Sequence, residues 1–338
     1  MSSSAPSDWA HPGAAHPVPA IVGLGVVGRT VVDVLLATGV PSIRAVESRS
    51  TRHVRPDRRV EQVSADLAYA SSVVILCGPS PQFPTARTVL ERGGSCVTTS
   101  DDASDVRQLL NLSMLAEEHG VAVVVGATMM PGLSGLLART LADAMLVADE
   151  IHSFAHGTGG PVCARQHHQA LGGAAVAWHD GAWMERPAGS GRELCWFPDP
   201  VGPRDCYRIE TPEPELMVRA FPSATRVSAR LSATRRDRLT SRLPMMSPPH
   251  PDGGIGGLRV EVRGSDASGR VTTVLGASGR PGVIAGTVAA VFAGALLDGS
   301  ISATGLVVPG SAELPNRDLL DRVRDAGVTI SEFVGPSM

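Results

Sequence analysis

The sequence predicts an α/β protein, a doubly wound parallel sheet split by an inserted α+β domain with a mostly antiparallel sheet. Three observations carry this. An apolar strand run passes through Gly23-x-Gly25-x-x-Gly28 straight into a helical pattern. Strand-like and helical segments then alternate to residue 125, and between about 149 and 280 they give way to strand-like pieces rich in Gly and Pro before helical periodicity returns. The expected organisation is a disordered tail at 1–17, a nucleotide-binding domain at 18–130, an inserted domain at 131–280 and a return to the first domain at 281–338.

The first unit is VPAIVGLGVVGRTVVDVLLATGV (18–40), where apolar residues keep helical spacing through Leu36 and Gly39 stops the helix. The glycines permit a tight turn and close backbone approach, and the helix N-terminus adds free N–H groups and a positive dipole end. Gly23, Gly25, Val26, Val27 and Gly28 are therefore expected to cradle the phosphates of a dinucleotide, in the Rossmann manner.

Downstream, SIRAVE (42–47), RVEQV (59–63), SVVILCG (72–78), SCVTT (95–99) and VAVVV (121–125) read as strands, with helices expected around 82–92 and 103–119. GATMMPGLSG (126–135) then leads into the helical run LLARTLADAML (136–146). ADEIHSFAHG (148–157), TRVSARLSA (225–233), GLRVEVRGS (257–265) and GRVTTVLGA (269–277) are the strand-like pieces of the insertion. From Arg280, RPGVIAGTVAAVFAGALLDG, NRDLLDRVRDAG and VTISEFV are expected to complete the first domain.

Composition narrows the partners. The chain of 338 residues is long enough for two domains, and its formal net charge of −3 lacks the basic field of a nucleic-acid binder. A small-molecule partner is expected, with no nucleic acid and no membrane, since no apolar run approaches the ~18 residues of a span. Five cysteines without a C-x-x-C pair, and an N-terminus without a basic and an apolar region, read as a reduced, cytoplasmic protein. All 30 basic residues counted as Lys+Arg are arginine, which excludes Schiff-base, pyridoxal phosphate and P-loop lysine chemistry.

These pieces occur in an order that resembles the saccharopine dehydrogenase-like (saccharopine reductase-type) oxidoreductases. The matching stretches are GLGVVG (23–28), ESRS (47–50), CGPS (77–80), MPGLS (130–134), HGTGGP (156–161) and GVIAGTVAAVFAGALLDGSISATGLVVP (282–309). Residues 175–255 depart from the family, and no lysine is present for the acid/base role of its lysine-forming members. The resemblance implies a Rossmann domain split by a substrate and dimerisation domain, a homodimer, and hydride transfer between NADP or NAD and an imine or carbonyl of a small amino-acid-like substrate; the departure from the family points to a biosynthetic role outside lysine metabolism. Alcohol or aldehyde oxidation without nitrogen, and a non-redox dinucleotide-binding protein, are the rival readings.

Within that frame Glu47 at the end of the second strand suits a ribose 2′-OH, whereas Arg49, with Arg52 behind it, suits a 2′-phosphate. Ser48-Arg49 falls in the family's Ser-Arg register, which favours NADP, with NAD the alternative. Cys77, Gly78 and Pro79 end the fourth strand at the edge where the cofactor runs toward its nicotinamide, and Thr99 ends the fifth. Asp101 or Asp102 is expected either to position a substrate amine and relay a proton or to cap the next helix. Met130, Pro131 and Gly132 are expected at the nicotinamide-side wall, with Met129, and Ser134 as a helix cap.

His156 and His168, and beside them His167, are expected as general acids or carboxylate-binding groups, Arg165 as a bidentate hold on a carboxylate and Tyr207 as a proton donor. His152 and His156 share a strand face by spacing, but a metal site with Cys163 or His168 needs distant residues to converge, and no metal is assigned.

Overall fold

β1 (Ala20–Val22) ends at Gly23 and α1 (Val26–Ala37) begins three residues later, so the glycine turn joins a buried strand to a helix as expected. The structure is a computed structural model that describes residues 18–46, 57–245 and 248–333. The N-terminal segment 1–17 lies outside the described residues.

β2 (Ile43–Val46), β3 (Val60–Gln62), α2 (Ala65–Tyr69), β4 (Val73–Leu76), α3 (Phe83–Glu91) and β5 (Ser95–Thr98) follow in alternation. The single helix expected over 103–119 is two, α4 (Ala103–Leu110) and α5 (Ser113–Glu118). The N–H groups of Asn111 and Leu112 turn back three residues, to Gln108 and Leu109, and this tighter turn ends the first helix. β6 (Ala122–Val124) completes the run.

The second half holds α6 (Leu133–Ala142), β7 (Val147–His156), α7 (Pro161–Ala170), β8 (Ala174–His179), β9 (Ala182–Pro187), β10 (Glu193–Phe197) and β11 (Gly202–Arg208). After these come α8 (Glu213–Ala220), β12 (Arg226–Ser232), α9 (Arg235–Thr240), β13 (Gly256–Asp266) and β14 (Gly269–Gly279). α10 (Pro281–Leu297), β15 (Gly305–Val307), α11 (Asn316–Asp325) and β16 (Thr329–Glu332) close the chain.

The first sheet is wholly parallel in the order β15-β6-β5-β4-β1-β2-β3, so the winding reverses between β1 and β4 and leaves a crevice at their carboxyl ends. The second sheet runs β10-β11-β12-β7-β13-β14-β16, with the β8–β9 hairpin attached to β12. All its pairings are antiparallel except β7 with β12. The C-terminal return is therefore divided. β15 joins the first sheet, but β16, within the VTISEFV expected to complete the first domain, pairs with β14 in the second.

One apolar core runs through both sheets, from Ile21 and Ile75 to Ile151, Leu258 and Val260. α10 is buried on nearly every side and packs on α1, where Gly286 has no room for a Cβ: Val27 O would lie 2.6 Å away. No helix among the described residues is long and apolar enough to cross a membrane. β7 divides its side chains in the way a pleated strand must. Ile151, Ser153 and Ala155 are buried toward α6, while Phe154 joins a small outer cluster with Cys195, Phe197, Val201 and Cys206.

Candidate active site

The crevice is built from contacts that only glycine allows. Gly23 has φ +97°, and a Cβ on it would sit 2.9 Å from Gly78 N, so the ends of β1 and β4 touch. A Cβ on Gly28 would collide with Gly23 O, which fixes how closely α1 approaches the turn. Gly25 has open space where its Cβ would be and is exposed. The N–H groups of Val26, Val27 and Gly28 form no hydrogen bond with any described residue. Unpaired donors at a helix N-terminus above an open glycine are what a phosphate requires.

Cys77 and Gly78 are half-buried beside this turn and Pro79 is exposed; burial pushes the Cys77 thiol up to about 12, so it stays neutral. Gln82, which nothing in the sequence marked, ties the two strand ends together. Its side-chain amide donates to Gly78 O at 2.7 Å and its Oε1 accepts from the Thr99 N–H at 3.0 Å. The Thr99 hydroxyl donates to Leu76 O at 2.8 Å, so the protein itself satisfies it. Glu47, Ser48, Arg49 and Arg52 lie outside the described residues.

The two aspartates part company. Asp102 Oδ1 accepts from the Asp105 N–H at 2.8 Å as the N-cap of α4. Asp101 faces α7 instead: its Oδ2 lies 3.4 Å from His167 Nε2 and 3.9 Å from Cys163 Sγ, which is itself 3.5 Å from His167 Nε2. The HGTGGP loop makes the meeting possible. A Cβ on Gly159 would lie 3.2 Å from Gly282 Cα, and one on Gly160 3.8 Å from the Val26 side chain, so α7 starts against the glycine turn. Burial disfavours charge on His167, yet the Cys163 sulfur and the Asp101 carboxylate outweigh it and hold the imidazole well above its ordinary pKa.

His168, expected as a general acid, is not part of this cluster. It is buried, and its Nε2 lies 2.9 Å from Thr240 O and 3.1 Å from Leu243 O. Neighbouring helix positions point about 100° apart, so the residue that faces Asp101 is His167. Arg165 is exposed, half a turn from Cys163, and has no hydrogen bond or ion pair among the described residues. Tyr207 is buried beneath the Arg238 guanidinium, 4.1 Å from its ring centroid.

His156 is also placed elsewhere than expected. It shares the outer face of β7 with Phe154, its Nδ1 lies 2.6 Å from Ser232 Oγ, and its ring lies 6.0 Å from that of Phe197. Burial lowers its pKa. His152, on the same face, bonds Ser228 Oγ through Nδ1 at 2.8 Å. The two share a face, as their spacing predicts, but their polar partners are serines of β12 rather than Cys163 or His168.

GATMMPGLSG leaves β6 at the carboxyl edge of the first sheet, but residues 126–138 are buried throughout. Met130, Pro131 and Gly132, expected to line the cofactor, are enclosed by the chain itself. Gly132 has φ +121°, and a Cβ there would collide with Thr128 O and lie 2.6 Å from Gly126 O, so its constraint is internal. The Ser134 side chain makes no cap. Its hydroxyl, with that of Ser153, lies nearest the wholly buried Glu213, and none of the three finds a well-aligned hydrogen bond. Desolvation pushes the Glu213 carboxyl up to about 7. A groove of about 950 Å³ between α1, α10 and α11 carries no residue of the glycine turn.

No family model matches the chain, and no curated protein matches it in sequence. Solved structures do match. The L-glutamate-forming saccharopine dehydrogenase of Saccharomyces cerevisiae superposes with a TM-score of 0.66 at 15% identity, covering 94% of this chain and 100% of that one. The fold is that of saccharopine dehydrogenase. DAP dehydrogenase of C. glutamicum, in complex with DAP, matches at TM-score 0.51 and 16% identity over 92% of this chain and 98% of that one. An engineered D-amino acid dehydrogenase bound to NADP+ matches at 0.50 and 15%, over 91% and 99%. The saccharopine dehydrogenase fold accounts for the order in which the motifs follow one another, and both sheets belong to it.

Proposed function

We propose that the protein is an NAD(P)-dependent oxidoreductase that transfers hydride to or from the C–N bond of a small amino-acid-like substrate. The observation that carries this reading is the pairing of an open glycine turn with the Asp101–His167–Cys163 cluster, brought to the same sheet edge by α7. Similarity in fold to dehydrogenases named for saccharopine, DAP and D-amino acids supports the substrate class.

The dinucleotide fits the residues present. Gly25 leaves room for it, Val26, Val27 and Gly28 offer unpaired N–H donors, and Gly78 and Pro79 continue the rim. When bound, the nicotinamide supplies or accepts the hydride. NADP is the favoured form, on the Ser48-Arg49 register.

Asp101, His167 and Cys163 meet the nitrogen or oxygen of the substrate and stabilise the charge that changes there as hydride moves at the adjacent carbon. Asp102 holds Asp101 at the head of α4, and His168 fixes the roll of α7, so the cluster is oriented by residues that do not touch substrate. The second sheet is the proposed homodimer surface, where Leu194 and Trp196 are exposed. Consumption of NADPH with a panel of 2-oxo acids, each with and without ammonia or an amino acid, tests the reading. Turnover that needs the amine supports imine reduction. Binding of NADPH without oxidation under any of these mixtures would leave only a dinucleotide-binding protein.

A further inference from the structure

Asp101, Cys163 and His167 come from segments more than sixty residues apart, yet their ligand-bearing atoms all lie within 4.8 Å of one another. Sγ to Nε2 is 3.5 Å, Nε2 to the carboxylate oxygen 3.4 Å, and Sγ to that oxygen 3.9 Å. Tetrahedral zinc, with bonds of about 2.3 Å to sulfur and about 2.0–2.2 Å to nitrogen and oxygen, sets its ligands about 3.3–3.6 Å apart. The three atoms are therefore already close to the spacing that zinc would impose.

Three further observations point the same way. Cys163 and His167 are four residues apart on α7, the spacing that puts two ligands on one helix face. None of the three side chains has a hydrogen-bond or ion-pair partner outside the cluster among the described residues. The Asp101 and His167 side chains remain 21% and 20% exposed, so the cluster is not closed off and a fourth ligand can reach it.

We propose that Asp101, Cys163 and His167 bind a zinc ion, with a fourth position open to water or substrate. One thiolate, one imidazole and one carboxylate form a set suited to zinc rather than to magnesium or calcium, and three protein ligands with an open position mark a catalytic ion rather than a structural one. The supports are already present, since Asp102 caps α4 beside Asp101 and the Thr240 and Leu243 carbonyls hold His168 and with it the face of α7. At the open position the ion would polarise the carbonyl or imine that accepts hydride, a role that rests on the proposed function, whereas the binding itself does not.

The test uses the full chain, stripped with a chelator and titrated with zinc and with cobalt(II). One equivalent of either ion is expected, cobalt showing the intense visible absorption of a tetrahedral site and a near-ultraviolet sulfur-to-metal band. Cys163→Ser should remove that band, and His167→Ala and Asp101→Asn should each weaken zinc by roughly 100-fold or more. His152→Ala should bind zinc as the parent does. Because a variant can fail to fold, alkylation of Cys163 in the parent protein is read in parallel, and zinc should protect it. Absence of stoichiometric binding, a cobalt spectrum indifferent to Cys163→Ser, or equal alkylation with and without zinc overturns the site. NADPH binding followed by fluorescence in the same preparations separates the two readings. Zinc without NADPH binding defeats the proposed function alone, and NADPH turnover in a chain that takes up no zinc defeats this inference alone.

Discussion

Asp101 Oδ2 lies 3.4 Å from His167 Nε2, a contact that joins the carboxyl end of β5 to the first two turns of α7. Each residue has a neighbour of the same type that does something else. Asp102 caps a helix and His168 anchors one.

That division predicts opposite phenotypes. Asp101→Asn and His167→Ala should lower kcat by about 100-fold or more while NADPH affinity and melting temperature stay near parental values. Asp102→Ala should cost about 1 kcal/mol of stability and leave turnover largely intact at a permissive temperature. Steady-state rates beside thermal melts decide it, and a large rate loss confined to the Asp102 variant would reverse the assignment.

Gly25 and Gly28 should separate binding from folding. A Cβ at Gly25 meets no protein atom within 4 Å, so Gly25→Val should fold normally and lose dinucleotide binding. At Gly28 a Cβ strikes Gly23 O, so Gly28→Ala should destabilise the protein by about 1–3 kcal/mol. Unchanged NADPH affinity in a folded Gly25→Val protein would remove the turn from the site.

Gly132→Val should fail as a folding variant rather than as a catalytic one. The added side chain would meet Thr128 and Gly126 backbone in a segment that is buried throughout, at a φ of +121°. Little soluble protein, or a melting temperature lowered far more than any change in the rate per folded molecule, is the expected result.

Glu213 should make stability fall as pH rises toward neutrality. Its carboxyl titrates at about 7 in the folded chain against an ordinary value of 4.5, so between those values the folded state keeps a proton that the unfolded state releases. The contribution is fully present below pH 4.5, declines as pH rises to about 7 and is flat above it. A shift of that size corresponds to roughly 3 kcal/mol. Glu213→Gln should lack this decline, so the difference in urea midpoint between variant and parent should grow in the variant's favour from pH 5 to pH 8. A difference that stays constant would show that Glu213 ionises normally.

The sequence by itself determined what depends on neighbours along the chain. The apolar run into Gly23-x-Gly25-x-x-Gly28, the alternation through residue 125 and the change after 149 each reflect local periodicity and glycine geometry, and all reappear in the structure. Tertiary contacts decided what depends on direction. VTISEFV has the pattern of a strand, but only its pairing with β14 places it in the second sheet. ARQHHQALGG offers two adjacent histidines, and sequence cannot say which faces Asp101. The roll of α7 is fixed by the Thr240 and Leu243 carbonyls, more than seventy residues away, and by the Gly159 and Gly160 contacts with α10 and α1. Gln82 carries no mark in the sequence, and Cys163 is noted there only beside His152 and His156, because their chemistry exists only once separate strand ends and helix turns converge. A residue's type and period are local properties, but the direction of its side chain is set by whatever packs against its element.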